Sequence, residues 1–118
     1  MTEEEYAAQF AGKTPEDAID ATNGAVHKTV DDSVSDNATI WFKVVANETI
    51  TLTIETISGE NCVIEIYDDP DAWYLKKKDS GYDEVYTYTF EAGKTYYIKA
   101  YHYYASKTGE MTVTVTVE

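Results

Sequence analysis

From Tyr82 to Glu118 the chain changes side-chain character at every second residue, and few folds tolerate such a pattern. Tyr86, Tyr88 and Phe90 alternate with threonines, and Ala92-Gly93-Lys94 then turns the chain. Tyr96, Ile98 and Ala100 alternate with Tyr97, Lys99 and Tyr101, while Met111, Val113, Val115 and Val117 alternate with Thr112, Thr114 and Thr116. Period-2 alternation sends one set of side chains into a core and the other into water, so these segments read as half-buried β-strands. Upstream, Ile40, Phe42 and Val44 alternate with Trp41 and Lys43. Ile50, Leu52 and Ile54 alternate with Thr51, Thr53 and Glu55, and Ser58-Gly59-Glu60-Asn61 turns into Cys62, Ile64 and Ile66. Val26 to Val30 is a further short candidate. About seven or eight short strands at this spacing predict an all-β antiparallel sandwich. The polar stretch Asp31–Asn37, the long stretch Asp68–Asp83 and Ser106–Gly109 read as loops.

The N-terminus is written differently. Thr2-Glu3-Glu4-Glu5 is a capping-box start with an acidic first turn, Tyr6 and Phe10 lie one helical turn apart, and Gly12 can stop the helix. Thr14 and Pro15 open a second helix that Ala18, Ile19 and Ala21 continue weakly and Asn23-Gly24 ends. The expected organisation is a helical segment over residues 1–24 and a sandwich over 25–118, one domain overall.

Charge narrows the partners. The formal net charge of −13 repels nucleic acid and anionic membranes, and the nine cationic residues are all lysine, so no bidentate arginine clamp exists. Cations, neutral glycans and basic peptides remain as ligands. No apolar run is long enough to insert in a membrane. Thr2-Glu3-Glu4-Glu5 directly after Met1 is not a secretory signal, which leaves a cytoplasmic chain or a piece of a larger secreted one. The strand-rich, acidic, tyrosine-heavy composition favours the second. Cys62 stands alone, so no intrachain disulfide forms, and its strand context reads as a small buried hydrophobe. Asn37-Ala38-Thr39 and Asn47-Glu48-Thr49 match the glycosylation sequon, a short pattern that recurs by chance in threonine-rich chains.

Four segments carry a family likeness. Asn37-Ala38-Thr39-Ile40-Trp41-Phe42-Lys43-Val44 is an aromatic first core strand, and Ile64-Glu65-Ile66-Tyr67-Asp68-Asp69 is a hydrophobic strand ending in Tyr-Asp. Phe90-Glu91-Ala92-Gly93-Lys94-Thr95-Tyr96-Tyr97-Ile98-Lys99-Ala100 follows an Ala-Gly-x-x-Tyr-Tyr hairpin pattern. Together with Gly109-Glu110-Met111-Thr112-Val113 they resemble the bacterial pre-peptidase C-terminal domain over roughly residues 15–118. The resemblance implies a jelly-roll-like sandwich appended to exported proteins, without catalysis of its own. Relatives in clostridial collagenases bind collagen and can bind calcium. The family's metal ligands have no residue-for-residue match here, and Met111 stands where the family carries an aromatic.

Neither His27 nor His102 has a metal-ligand partner at the usual spacing, and no serine lies in a nucleophile elbow, so an enzyme is not expected. His102 shares the parity of Ile98, which predicts a half-buried position. Calcium is the one cofactor left open. Asp31, Asp32 and Asp36 in one loop and Asp68, Asp69 and Asp71 in another concentrate hard oxygen ligands, although turn-forming, solubilising acids look the same. Trp41, Tyr97, Tyr101 and Tyr103 are expected to face outward as a stacking platform for sugars or peptides. The competing reading is strand-forming tyrosine covered by lysine stems or by the N-terminal helix. Trp73, Tyr74 and Tyr82 form a second candidate site or a loop-pinning minicore. The expected function is therefore an extracellular or cell-surface accessory domain of a larger chain, monomeric, resting against neighbouring domains and binding an extracellular protein or other polymer. A carbohydrate-binding module using the exposed rings is the alternative.

Overall fold

The computed structural model describes residues 17–28, 39–59, 61–68, 75–103 and 111–118. Its nine described strands are β1 (Ile19–Asp20), β2 (Ala25–Lys28), β3 (Ile40–Ala46), β4 (Ile50–Ile57), β5 (Asn61–Tyr67), β6 (Leu75–Tyr82), β7 (Val85–Phe90), β8 (Lys94–His102) and β9 (Thr112–Val117). One sheet runs β1-β3-β8-β5-β6 and the other β2-β9-β4-β7. Strands β2 to β9 thus alternate between sheets except at the β5–β6 hairpin, and their order is that of an eight-strand jelly roll. Strand β1 adds a parallel edge beside β3, with Ile19 opposite Phe42.

The sheets close on the inward set read from the alternation. Ile40, Phe42, Val44, Leu52, Ile54, Cys62, Ile64, Ile66, Phe90, Ile98, Met111 and Val113 are buried together. Each fully buried aliphatic or aromatic side chain contributes about 1.5–3 kcal/mol relative to exposure. Tyr88, Phe90 and Tyr96 meet edge to face, with Phe90–Tyr96 ring centroids 4.9 Å apart. Tyr96 is also anchored at its tip, where its hydroxyl accepts the Glu91 N–H at 3.0 Å. His102 is buried, more deeply than its strand-end position predicts.

Three expectations are corrected. The helix expected to run through Ala18, Ile19 and Ala21 gives way to β1. Here Ala21 joins the core, its N–H donates to the Lys43 carbonyl, and Thr22 Oγ1 accepts the Val45 N–H at 2.9 Å. An edge vacancy beside β3 outweighs a weak helix propensity. The Asp68–Asp83 loop holds β6, whose lysines and Ser80-Gly81 pair with β5. A polar sequence suits an edge strand, because its outer edge meets water and lysine discourages further pairing. Finally, Ala92-Gly93 makes no hairpin. Strand β7 pairs with β4 and β8 with β3 and β5, so the turn carries the chain from one sheet to the other. Gly93 sits at φ +87° and its N–H donates to the Ala46 carbonyl at 2.7 Å. The expected first helix over residues 2–12 lies outside the described residues.

Candidate functional site

The parity that buries Phe42, Ile64 and Ile98 sends Trp41, Lys43, Glu65, Tyr67, Tyr97, Lys99 and Tyr101 to the outer face of the five-stranded sheet. Register puts Trp41 beside Lys99, Lys99 beside Glu65, and Glu65 beside Lys78 in one row across four strands. The face is not an open ring platform. Trp41 is only 9% exposed and Tyr97 only 7%, so both point outward as expected but neither offers a free stacking surface. The Trp41 ring lies 5.6 Å from that of Tyr67, and Lys99 Nζ sits 5.4 Å from the Trp41 centroid and 4.9 Å from that of Tyr101. An ammonium held between two ring faces gains from both quadrupoles.

Glu65 organises the cluster. It is 6% exposed, unusual for a carboxylate on the outside of a sheet. Its Oε1 accepts the Tyr67 hydroxyl at 2.6 Å, and its Oε2 accepts the Tyr101 hydroxyl at 2.8 Å with Lys78 Nζ 3.7 Å away. Two O–H donors and the nearby ammonium satisfy the acceptor oxygens of this covered carboxylate. Burial first, and the bond to an anionic acceptor second, hold both phenols well above the usual tyrosine range. The sequence reading missed Glu65, Tyr67, Lys78 and Lys99. The available signal was a single acid between Ile64 and Ile66, on the same parity as Tyr67.

What remains open lies at one end of this face. Tyr103 follows β8 and donates its N–H to the Asn61 carbonyl at 2.8 Å, while Tyr82 is opposite Asn61 on the other side. Their side chains are 53% and 69% exposed. Successive strands lie about 4.8 Å apart, so these two tyrosines stand about 10 Å apart across Asn61. A cleft of about 260 Å³ lined by Asn61, Ser80, Gly81 and Tyr103 opens there. Below it, Asp83, at φ +46°, accepts the N–H groups of Ser58 and Gly59 at 2.8 Å each, pinning two turns together. A Cβ on Gly81 would meet Glu84 Oε2 at 2.6 Å, so a larger residue there has to displace the Glu84 carboxylate. Tyr101, by contrast, is half-buried and engaged with Glu65. Trp73 and Tyr74 lie outside the described residues, as do Asp31, Asp32, Asp36, Asp69 and Asp71. Asp68 is half-buried after β5, and among the described residues no group of three or more His, Cys, Asp or Glu stands close enough to hold a metal.

The outer face of the second sheet differs: threonines pair across β4 and β7, with Oγ1 atoms 3.0 Å apart for Thr51–Thr89 and 2.9 Å for Thr53–Thr87. It carries no ring.

The class is therefore a small jelly-roll β-sandwich with one aromatic outer face. No family model and no curated protein matches the sequence. Solved structures do match. The periplasmic inhibitor of g-type lysozyme from Aeromonas hydrophila superposes with a TM-score of 0.60 at 17% identity, covering 86% of this chain and 96% of that one. The pre-peptidase C-terminal domain of a Bacillus anthracis collagenase superposes with a TM-score of 0.56 at 14% identity, covering 86% and 92%. At these identities the likeness is one of fold, and it includes the family that the sequence segments resemble.

Proposed function

We propose that this chain is a non-catalytic binding domain of an exported protein, and that it grips an extended polymer between Tyr82 and Tyr103. The observation that carries this is the polar cleft lined by Asn61, Ser80, Gly81 and Tyr103, with exposed Tyr82 opposite Asn61 on the neighbouring strand, at the end of a face whose Trp41 and Tyr97 rings are covered. Two rings with an amide and a hydroxyl between them suit a ligand with apolar faces and hydrogen-bonding edges, whether a glycan or an extended protein strand. Because Trp41 and Tyr97 are covered, a single chain in the cleft fits better than a flat crystalline surface. Pull-down on collagen, other fibrous proteins and a polysaccharide panel tests the idea. Retention on one class, lost in Tyr82→Ala and in Tyr103→Ala, supports it and names the ligand. Failure on all of them, or retention indifferent to both substitutions, refutes it.

A second reading rests on the fold shared with a lysozyme inhibitor and on the charge of −13. An acidic domain is steered toward a basic enzyme. Inhibition of g-type lysozyme in a cell-wall turbidity assay, weakening with salt, would support it, and undiminished lysis at excess inhibitor would dismiss it.

A further inference from the structure

Trp41, Val63, Glu65 and Tyr97 are at most 9% exposed, yet all four project from the outer face of the five-stranded sheet. The nine described strands form two sheets facing each other, so none of them lies over this face. An aromatic ring buries 150–250 Å² when covered, and ring-to-ring contact within one sheet face supplies only part of that. The charge of the face is also out of character. Among the described side chains its strands present Lys43, Lys78 and Lys99 against the carboxylates of Asp20 and Glu65, three cations to two anions, in a chain of net −13. Glu65 is paired with Lys78, so the surplus positive charge of the face lies with Lys43 and Lys99 against Asp20.

The chain holds a segment of complementary chemistry. Residues 2–12, outside the described structure, read as a short amphipathic helix with Glu3-Glu4-Glu5 in its first turn and Tyr6 and Phe10 on one face. We propose that the outer face of the five-stranded sheet is the docking site for this acidic N-terminal segment, with the lysines meeting its glutamates and the covered rings meeting Tyr6 and Phe10. Docking over Trp41, Lys43 and Tyr97 leaves Tyr82 and Tyr103 open, and Val63, paired with the cleft residue Ser80, marks where the two sites adjoin. The inference stands apart from the ligand reading, because its probes are Trp41, Lys43 and Lys99 rather than the exposed tyrosines.

The test uses the full chain carrying Tyr6→Ser with Phe10→Ser, and separately Glu3→Gln with Glu4→Gln and Glu5→Gln. Lysine acetylation footprinting by mass spectrometry reads Lys43 and Lys99, and acrylamide quenching in a Trp73→Phe background reads Trp41. Expected are several-fold faster labelling of both lysines and stronger quenching in each variant, with the sandwich still melting cooperatively. The footprint needs no tryptophan substitution, so it stands if Trp73→Phe fails to fold. Labelling as slow in the variants as in the parent overturns the proposal. So does protection in the parent that disappears on dilution, which would assign the face to a second copy of the chain.

Discussion

Replacing Glu65 by leucine tests the chemistry of the outer face most directly. The leucine keeps the volume and the strand register but removes the acceptor shared by the Tyr67 and Tyr101 hydroxyls and the anion beside Lys78. A hydrogen bond to a charged group is worth about 1.5–3 kcal/mol, which for two would suggest twice that. Both phenols are half-buried, however, and can recover water once released, and the exposed Lys78 adds little. Burying leucine also returns some apolar free energy. The net expectation is a loss of about 2–4 kcal/mol, read as a lower urea midpoint with an unchanged slope.

A pH signature separates this account from generic damage. Tyr67 and Tyr101 have folded-state pKa values raised above the ordinary phenol value of about 10. A raised pKa contributes stability that is complete below the unfolded value and is lost as pH climbs toward the folded one. The parent should therefore lose stability on the alkaline side of about pH 10, and two tyrosines should resist ionisation in a titration followed at the phenolate absorbance. In Glu65→Leu those two should ionise at lower pH than in the parent, and Glu65→Gln should fall between. A leucine variant within about 0.5 kcal/mol of the parent, with the same two late-titrating tyrosines, would refute the role given to Glu65.

Other substitutions probe the frame. Gly93→Ala forces a Cβ into a left-handed backbone at φ +87° and should cost about 1–2 kcal/mol by chemical denaturation, although nothing crowds the site. Asp83→Ala leaves the Ser58 and Gly59 N–H groups without their shared carboxylate and should cost about 1–2 kcal/mol. In that variant, amide exchange should speed up first at the β4–β5 turn. Asp20→Asn should flatten the acid limb slightly. The Thr22 N–H holds the Asp20 carboxyl below its usual range, and that contribution exists above the unfolded pKa and fades as pH falls through the folded one.

The legible part of this protein was the part written locally. Alternation at period 2 identified the inward residues of β3, β4, β5, β7, β8 and β9, because a strand reports its two faces through its own sequence. It did not identify β6, whose lysines carry no alternation and which exists through main-chain pairing with β5. Nor did it identify β1, where a helix-compatible run becomes a strand because β3 offers an edge. The turn at Ala92-Gly93 shows the same limit. Its residues suit a hairpin and a sheet-to-sheet crossing equally, and the choice was made by β3, β4 and β5, each remote in sequence.

The candidate site divides along the same line. The sequence by itself determined that Trp41, Tyr97, Tyr101 and Tyr103 point away from the core, since parity is a property of each strand alone. Only the tertiary structure decided which of them meets water. Trp41 and Tyr97 are covered, Tyr101 is tied to a glutamate on another strand, and Tyr103 stands open beside Tyr82. Exposure is a property of what lies across and above a residue, and on this face the neighbours in space come from β3, β5, β6 and β8, whose order no local pattern records.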